Sequence, residues 1–90
     1  NLSQDRWVEY QLDASQLYNG IHIRYARAID SEVAIYVDGD PIKIHALPIT
    51  GSMSTWQTAQ IDGIPVEGKH YLRIHVISGT MNMNWFQLTR

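Results

Sequence analysis

Tyr71-Leu72-Arg73-Ile74-His75-Val76-Ile77 alternates without a break: Leu72, Ile74 and Val76 fall on one side, Tyr71, Arg73 and His75 on the other. A period of two is the geometry of a strand buried on one face. The same reading extends outward. In Trp7-Val8-Glu9-Tyr10-Gln11-Leu12, Val8, Tyr10 and Leu12 share one face and Trp7, Glu9 and Gln11 the other. Ile21-His22-Ile23-Arg24-Tyr25 and Val33-Ala34-Ile35-Tyr36-Val37 repeat the alternation. Asp38-Gly39-Asp40-Pro41 is a turn signal, and Ile42-Lys43-Ile44-His45-Ala46 returns from it as a hairpin partner.

Trp56–Ile61 reads as a further strand, Asp62–Gly68 as a loop rich in Gly and Pro, Ser78–Met81 as a turn, and Asn84–Leu88 as the closing strand. No stretch keeps a helical period. About seven short strands at roughly ten-residue spacing predict an all-β protein, a β-sandwich of two antiparallel sheets. The outward set Trp7, Tyr36, Tyr71, Arg73 and His75 is a large aromatic surface for so small a chain.

Ninety residues make one domain, 1–90. A chain of this size hides only about 60–65% of its unfolded surface. Apolar residues make up 44% and charged residues 18%, as in folded globular domains. A formal charge of -2, with seven basic residues scattered along the chain, predicts no nucleic-acid partner and no anionic membrane partner. No apolar run approaches the roughly 18 residues of a membrane span. No leader peptide is visible, so the expectation is a mature chain or a piece of a longer one. The absence of cysteine excludes disulfides, thiolate zinc sites and a cysteine nucleophile.

Catalytic machinery is not expected. His70 and His75 stand five apart, an odd spacing that points them to opposite faces of a strand and argues against a shared metal. Asp13, Asp30, Asp38, Asp40, Asp62 and Glu67 fall in turn-like segments, where aspartate serves the backbone. Glu9 alone sits mid-strand on a polar face, whereas a glycosidase needs two carboxylates roughly 5–10 Å apart. A small hydrolase built on Glu9 is the weakest reading.

Asp5-Arg6-Trp7-Val8-Glu9-Tyr10, then Val33–Asp38 with Gly39, Thr50-Gly51-Ser52-Met53-Ser54-Thr55-Trp56, Gly68–Ile74, and the closing Asn82-Met83-Asn84-Trp85-Phe86 occur in an order that resembles the family 6 carbohydrate-binding modules. These are β-jelly rolls appended to glycoside hydrolases. The resemblance covers the chain but corresponds to the C-terminal two thirds of such a module, so it implies an N-terminally shortened form lacking an acidic strand and a Gly-Tyr segment.

The resemblance implies two sugar sites. One lies among the loops at one end of the sandwich. Asn82 matches its asparagine, with Asn84 as the neighbouring alternative. Met53 falls where a ring-stacking Trp is expected, and Trp56 where a second, more structural Trp sits. The other site lies on a sheet face and takes the Trp of W-V-E-Y, which is Trp7; the alternative is a Trp7 covered by a preceding strand. Trp56, Trp85 and Phe86 are expected in the core. The resemblance also implies one structural calcium near the chain ends, its ligands unassigned here.

The function so implied is non-catalytic: an extracellular, secreted module that holds a linked catalytic domain on β-linked polysaccharide of xylan, β-glucan or agarose type. The alternative is a structural β-sandwich spacer that has lost sugar binding, which Met53 in place of Trp favours.

Overall fold

The computed structural model describes residues 2–26 and 31–90. Asp30, read above as a turn residue, lies outside them. Six strands follow one another: β1 (Leu2–Ser3), β2 (Trp7–Ala26), β3 (Ser31–Val37), β4 (Asp40–Leu47), β5 (Trp56–Ser78) and β6 (Thr80–Thr89). All pairings are antiparallel, in the order β1-β6-β2-β5-β3-β4.

Two of these strands are longer than the sequence pattern predicts. Asp62–Gly68 is not a loop: β5 runs straight through it, and β2 likewise continues across residues 13–20. Between the partner pairs Ala14↔Gly68 and Tyr18↔Val66, β2 carries three unmatched residues against one on β5. Between Tyr18↔Val66 and Gly20↔Asp62 the excess is reversed, with residues 63–65 of β5 opposite Asn19. Gly63, at φ 79°, takes a left-handed conformation that a side chain resists, and Pro65 lacks an N–H to donate. These residues punctuate a bulge rather than end a strand, and complementary bulges bend the ribbon.

The bend folds one continuous sheet into two layers. One layer holds β4, β3, the 68–78 half of β5 and the 7–14 half of β2; the other holds the 56–66 half of β5, the 18–26 half of β2, and β6. Val33, Ile35, Leu72, Ile74 and Val76 of the first layer and Ile21, Ile23, Tyr25 and Ile61 of the second close on one core. The predicted two-layer antiparallel sandwich is therefore what forms. Asp38 and Gly39 join β3 to β4 with φ values of 52° and 85°, the positive pair of a type I′ hairpin.

Tyr10 points to the core side but remains 38% exposed, its ring tilted against Phe86 at 4.8 Å between centroids. Phe86 packs on the core as expected. Trp85 does not: it is 42% exposed. Trp56, also expected in the core, is 37% exposed.

Gly20 sits where the second layer crosses the bend. A Cβ there would lie 2.8 Å from the Ile61 carbonyl oxygen, 2.8 Å from Gln60 Nε2 and 3.0 Å from Thr89 Oγ1. The Ile61 carbonyl belongs to the sheet backbone and cannot swing aside. Gly20→Ala is expected to destabilise the fold by about 1–3 kcal/mol, read as a lowered urea midpoint at unchanged slope; an unaltered midpoint would show that the strands part at little cost.

Candidate functional site

Two surfaces carry the site residues singled out from the sequence, and a third is shown by the structure. The first is the outer face of the β4-β3-β5-β2 layer. Register aligns Trp7, His75, Ala34 and Ile44 in one row across its four strands, and Glu9, Arg73, Tyr36 and Pro41 in the next. Gln11 and Tyr71 form a third. Alternation along each strand turns these positions away from the core. Trp7 is 50% exposed and Tyr71 51%, while Ala34 is only 4% exposed and forms the floor between larger neighbours.

Arg73 organises this face. Its guanidinium carbon lies 4.3 Å from the centroid of the Trp7 ring and 5.6 Å from that of Tyr36. Arg73 Nε donates to Glu9 Oε2 at 3.1 Å, so the one acid that stood mid-strand is held in an ion pair. The Tyr36 ring stacks on His75, 6.2 Å between centroids. A stacked and ion-paired arginine restricts both rings it touches. Neither the stack nor the pair was visible in the sequence, since Glu9 and Arg73 are 64 residues apart.

A hydrogen-bonded clamp borders the face. Asp38 Oδ2 lies 2.5 Å from His70 Nδ1, and Asp38 Oδ1 accepts the Tyr71 N–H at 2.9 Å. His70 Nε2 is 2.7 Å from the Glu67 carbonyl oxygen. With acceptors at both nitrogens, the ring is satisfied as the imidazolium. The hydrogen bond to Asp38, and then that to Glu67, raise the His70 pKa above its ordinary 6.5. The same bond to His70, followed by the Tyr71 amide, lowers Asp38 below 3.8. The clamp joins the β3–β4 turn to β5 beside Tyr71.

The second surface is the loop end, residues 48–55. The Tyr25 hydroxyl donates to the Pro48 carbonyl at 2.9 Å, Thr50 Oγ1 to the Ser52 carbonyl at 3.0 Å, and Asn82 Nδ2 to the Met53 carbonyl at 2.8 Å. Asn82 and Met53 are thus brought together. Asn82 fastens the loop through its amide nitrogen, and Met53 is half-buried. Trp56 and Asn82 flank Ala26 as its partners on β5 and β6. Asn84 is exposed in a β6 bulge between the Arg24↔Trp85 and Tyr25↔Met83 pairs. Trp7 lies apart from all four, in the opposite layer.

The third surface, which sequence reasoning missed, is the outer face of the second layer. Thr58, Arg24 and Trp85 form one row; Gln60, His22 and Gln87 the next; Asp62, Gly20 and Thr89 the last. Arg24 Nη1 donates to Thr58 Oγ1 at 3.2 Å. Gln60 Nε2 donates to Asp62 Oδ1 at 2.9 Å and to Thr89 Oγ1 at 3.0 Å, crossing over Gly20.

Among the described residues, no cluster of three or more His, Asp or Glu side chains is arranged to hold a metal ion.

Solvent-facing aromatics among polar side chains thus stand on a two-layer antiparallel β-sandwich scaffold. The chain belongs to the family described as carbohydrate binding module (family 35), whose model matches residues 1–88; such modules are non-catalytic. No curated protein matches it in sequence. Solved structures share its fold. A family 6 module from Clostridium stercorarium in complex with cellobiose matches with a TM-score of 0.89 at 16% identity, over 99% of this chain and 70% of that one. A family 35 module, Xyl-CBM35, in complex with a glucuronic acid-containing disaccharide, matches at 0.80 and 24% identity, over 100% and 70%. A glycoside hydrolase family 43 arabinoxylan arabinofuranohydrolase from Bacillus subtilis matches at 0.84 and 17% identity, over 99% of this chain but 20% of that enzyme. The resemblance to family 6 therefore holds as a shared fold.

The clamp gives a pH dependence with a definite sign. The raised pKa of His70 contributes stability that is fully present below pH 6.5 and lost as pH rises through the folded-state value. The lowered pKa of Asp38 contributes stability present above pH 3.8 and lost as pH falls through its folded-state value. Thermal midpoints of the wild type minus those of His70→Gln are expected to peak in mildly acidic buffer and shrink in mildly alkaline buffer. A difference constant from pH 5 to 9 would count against the clamp.

Proposed function

We propose that this module holds a linked glycoside hydrolase on β-linked polysaccharide outside the cell, gripping the glycan across the outer face of the β4-β3-β5-β2 layer. The observation that carries the reading is the half-exposed Trp7 ring, backed by Arg73 at 4.3 Å and continued by Tyr71. The slightly positive C–H edges of a pyranose ring pack on the negative face of an indole. Ion-paired and amide side chains beside it supply hydrogen bonds to the hydroxyls. With Glu9 neutralising Arg73, the rows around Trp7 suit an uncharged chain of xylan, β-glucan or agarose type.

Two structural neighbours support the choice of ligand and partner. The Clostridium stercorarium module was solved with cellobiose, and the Bacillus subtilis match is one fifth of a larger arabinofuranohydrolase, a setting in which such a module accompanies a catalytic domain. A shallow face holding a few sugars binds weakly, on the order of -4 to -7 kcal/mol, and tethering to an enzyme converts such affinity into residence.

One observation favours the alternative, a spacer without sugar binding. Asn82 is tied to the Met53 carbonyl, which removes a donor from the loop end. Affinity electrophoresis through xylan, mixed-linkage β-glucan and agarose separates the two. Retardation of the wild type on at least one glycan is expected, weakened about ten-fold by Trp7→Ala and little changed by Asn82→Ala. Free migration through every gel would leave the spacer; full retardation of Trp7→Ala would move the grip to another face.

A further inference from the structure

We infer that the outer face of the second layer is an additional sugar-binding surface, with Trp85 and Trp56 as its stacking platforms and Arg24 as the polar group between them. This rests on the reading of the chain as a glycan-binding module but assigns a different surface from the one around Trp7. Arg24 is the β2 partner of Trp85, and Ala26, one step further along the same face, is the partner of Trp56. The two indoles thus rise from strands on either side of β2, two strand spacings across the sheet and two residues along it, about 12 Å apart in all, with the short Ala26 side chain between their strands. Both rings reach solvent, at 42% for Trp85 and 37% for Trp56.

The chemistry of the face selects its occupant. Besides the two tryptophans, its outward positions carry hydroxyl, amide, imidazole, guanidinium and carboxylate groups, with small residues on the central strand. Among the described residues, no Leu, Ile, Val, Met or Phe points from it. A protein interface core or a lipid surface calls for aliphatic and further aromatic area, whereas isolated indoles set among donors and acceptors match the alternating C–H faces and hydroxyls of a sugar chain. The polar groups are already arranged. Arg24 is bonded to Thr58 and Gln60 to Thr89, and the missing side chain at Gly20 lets the Gln60 link lie close over β2. The face is also continuous with the loop end, because the row containing Trp56, Ala26 and Asn82 adjoins the row of Thr58, Arg24 and Trp85.

The test follows the three indole N–H signals of the isotopically labelled 90-residue chain by NMR during titration with xylohexaose, cellohexaose and laminarihexaose. Trp85 and Trp56 are expected to shift together with at least one oligosaccharide, along a saturation curve that Trp7→Ala leaves unchanged. Trp85→Ala is expected to weaken that curve about ten-fold while the Trp7 signal titrates as before. Arg24→Gln, which leaves all three indole rings in place, is expected to weaken it as well. Shifts confined to Trp7 would overturn this surface while leaving the module's general role intact. Silence of all three indoles with every oligosaccharide would overturn both.

Discussion

The whole molecule depends on a bend made by two strands that bulge against each other in opposite senses. Residues 15–17 of β2 are in excess over Glu67, and residues 63–65 of β5 are in excess over Asn19. A flat ribbon of this length would leave Ile21, Ile23 and Tyr25 without a partner layer. Bent, it closes them on Leu72, Ile74 and Val76. Each such side chain is worth about 2–5 kcal/mol against alanine, so the bend converts two long strands into a core.

The bulges also reset which residues face inward. On β5 the even-numbered Ile64, Val66, Leu72, Ile74 and Val76 are buried, but before Gly63 the buried residue is the odd-numbered Ile61. On β2 the core side passes from Val8, Leu12 and Ala14 to Ile21, Ile23 and Tyr25. On β6 the bulge at Asn84 does the same, leaving Met83 and then Phe86 and Leu88 against the core. One extra residue turns every later side chain to the other face.

That phase change explains what could and could not be read from the sequence. Within a strand the alternation is plain, so the all-β class, the strand around Leu72 and Ile74, and the Asp38-Gly39 hairpin are legible from local pattern. A bulge has no such pattern. Gly63, Pro65 and Gly68 punctuate it with the residue types that elsewhere end a strand, and the reading of Asp62–Gly68 as a loop followed. Trp85 suffers from the same ambiguity: counted from Met83 it points inward, counted from Phe86 it points outward, and the structure follows Phe86. The clamp of Asp38 on His70 and the stack of Arg73 on Trp7 join residues 32 and 66 positions apart, for which one sequence offers no signal.

The polar contacts around Trp7 matter for position more than for stability. A partly exposed ion pair such as Glu9–Arg73 contributes about 0–1 kcal/mol, and a guanidinium over an indole about 0.5–2. Against the core these are minor. Their effect is to hold one bulky ring in place before anything binds. Ordering a mobile side chain at an interface costs about 0.5–1.5 kcal/mol, a substantial part of the free energy available to a shallow sugar-binding face. A ring already held by Arg73 on one side leaves its other face to a ligand with that cost met during folding. Under the proposed binding mode the arrangement links the bend to function: the bulges position β5 beside β2, the ladder brings Arg73 over Trp7, and the stack would present a rigid platform to a glycan.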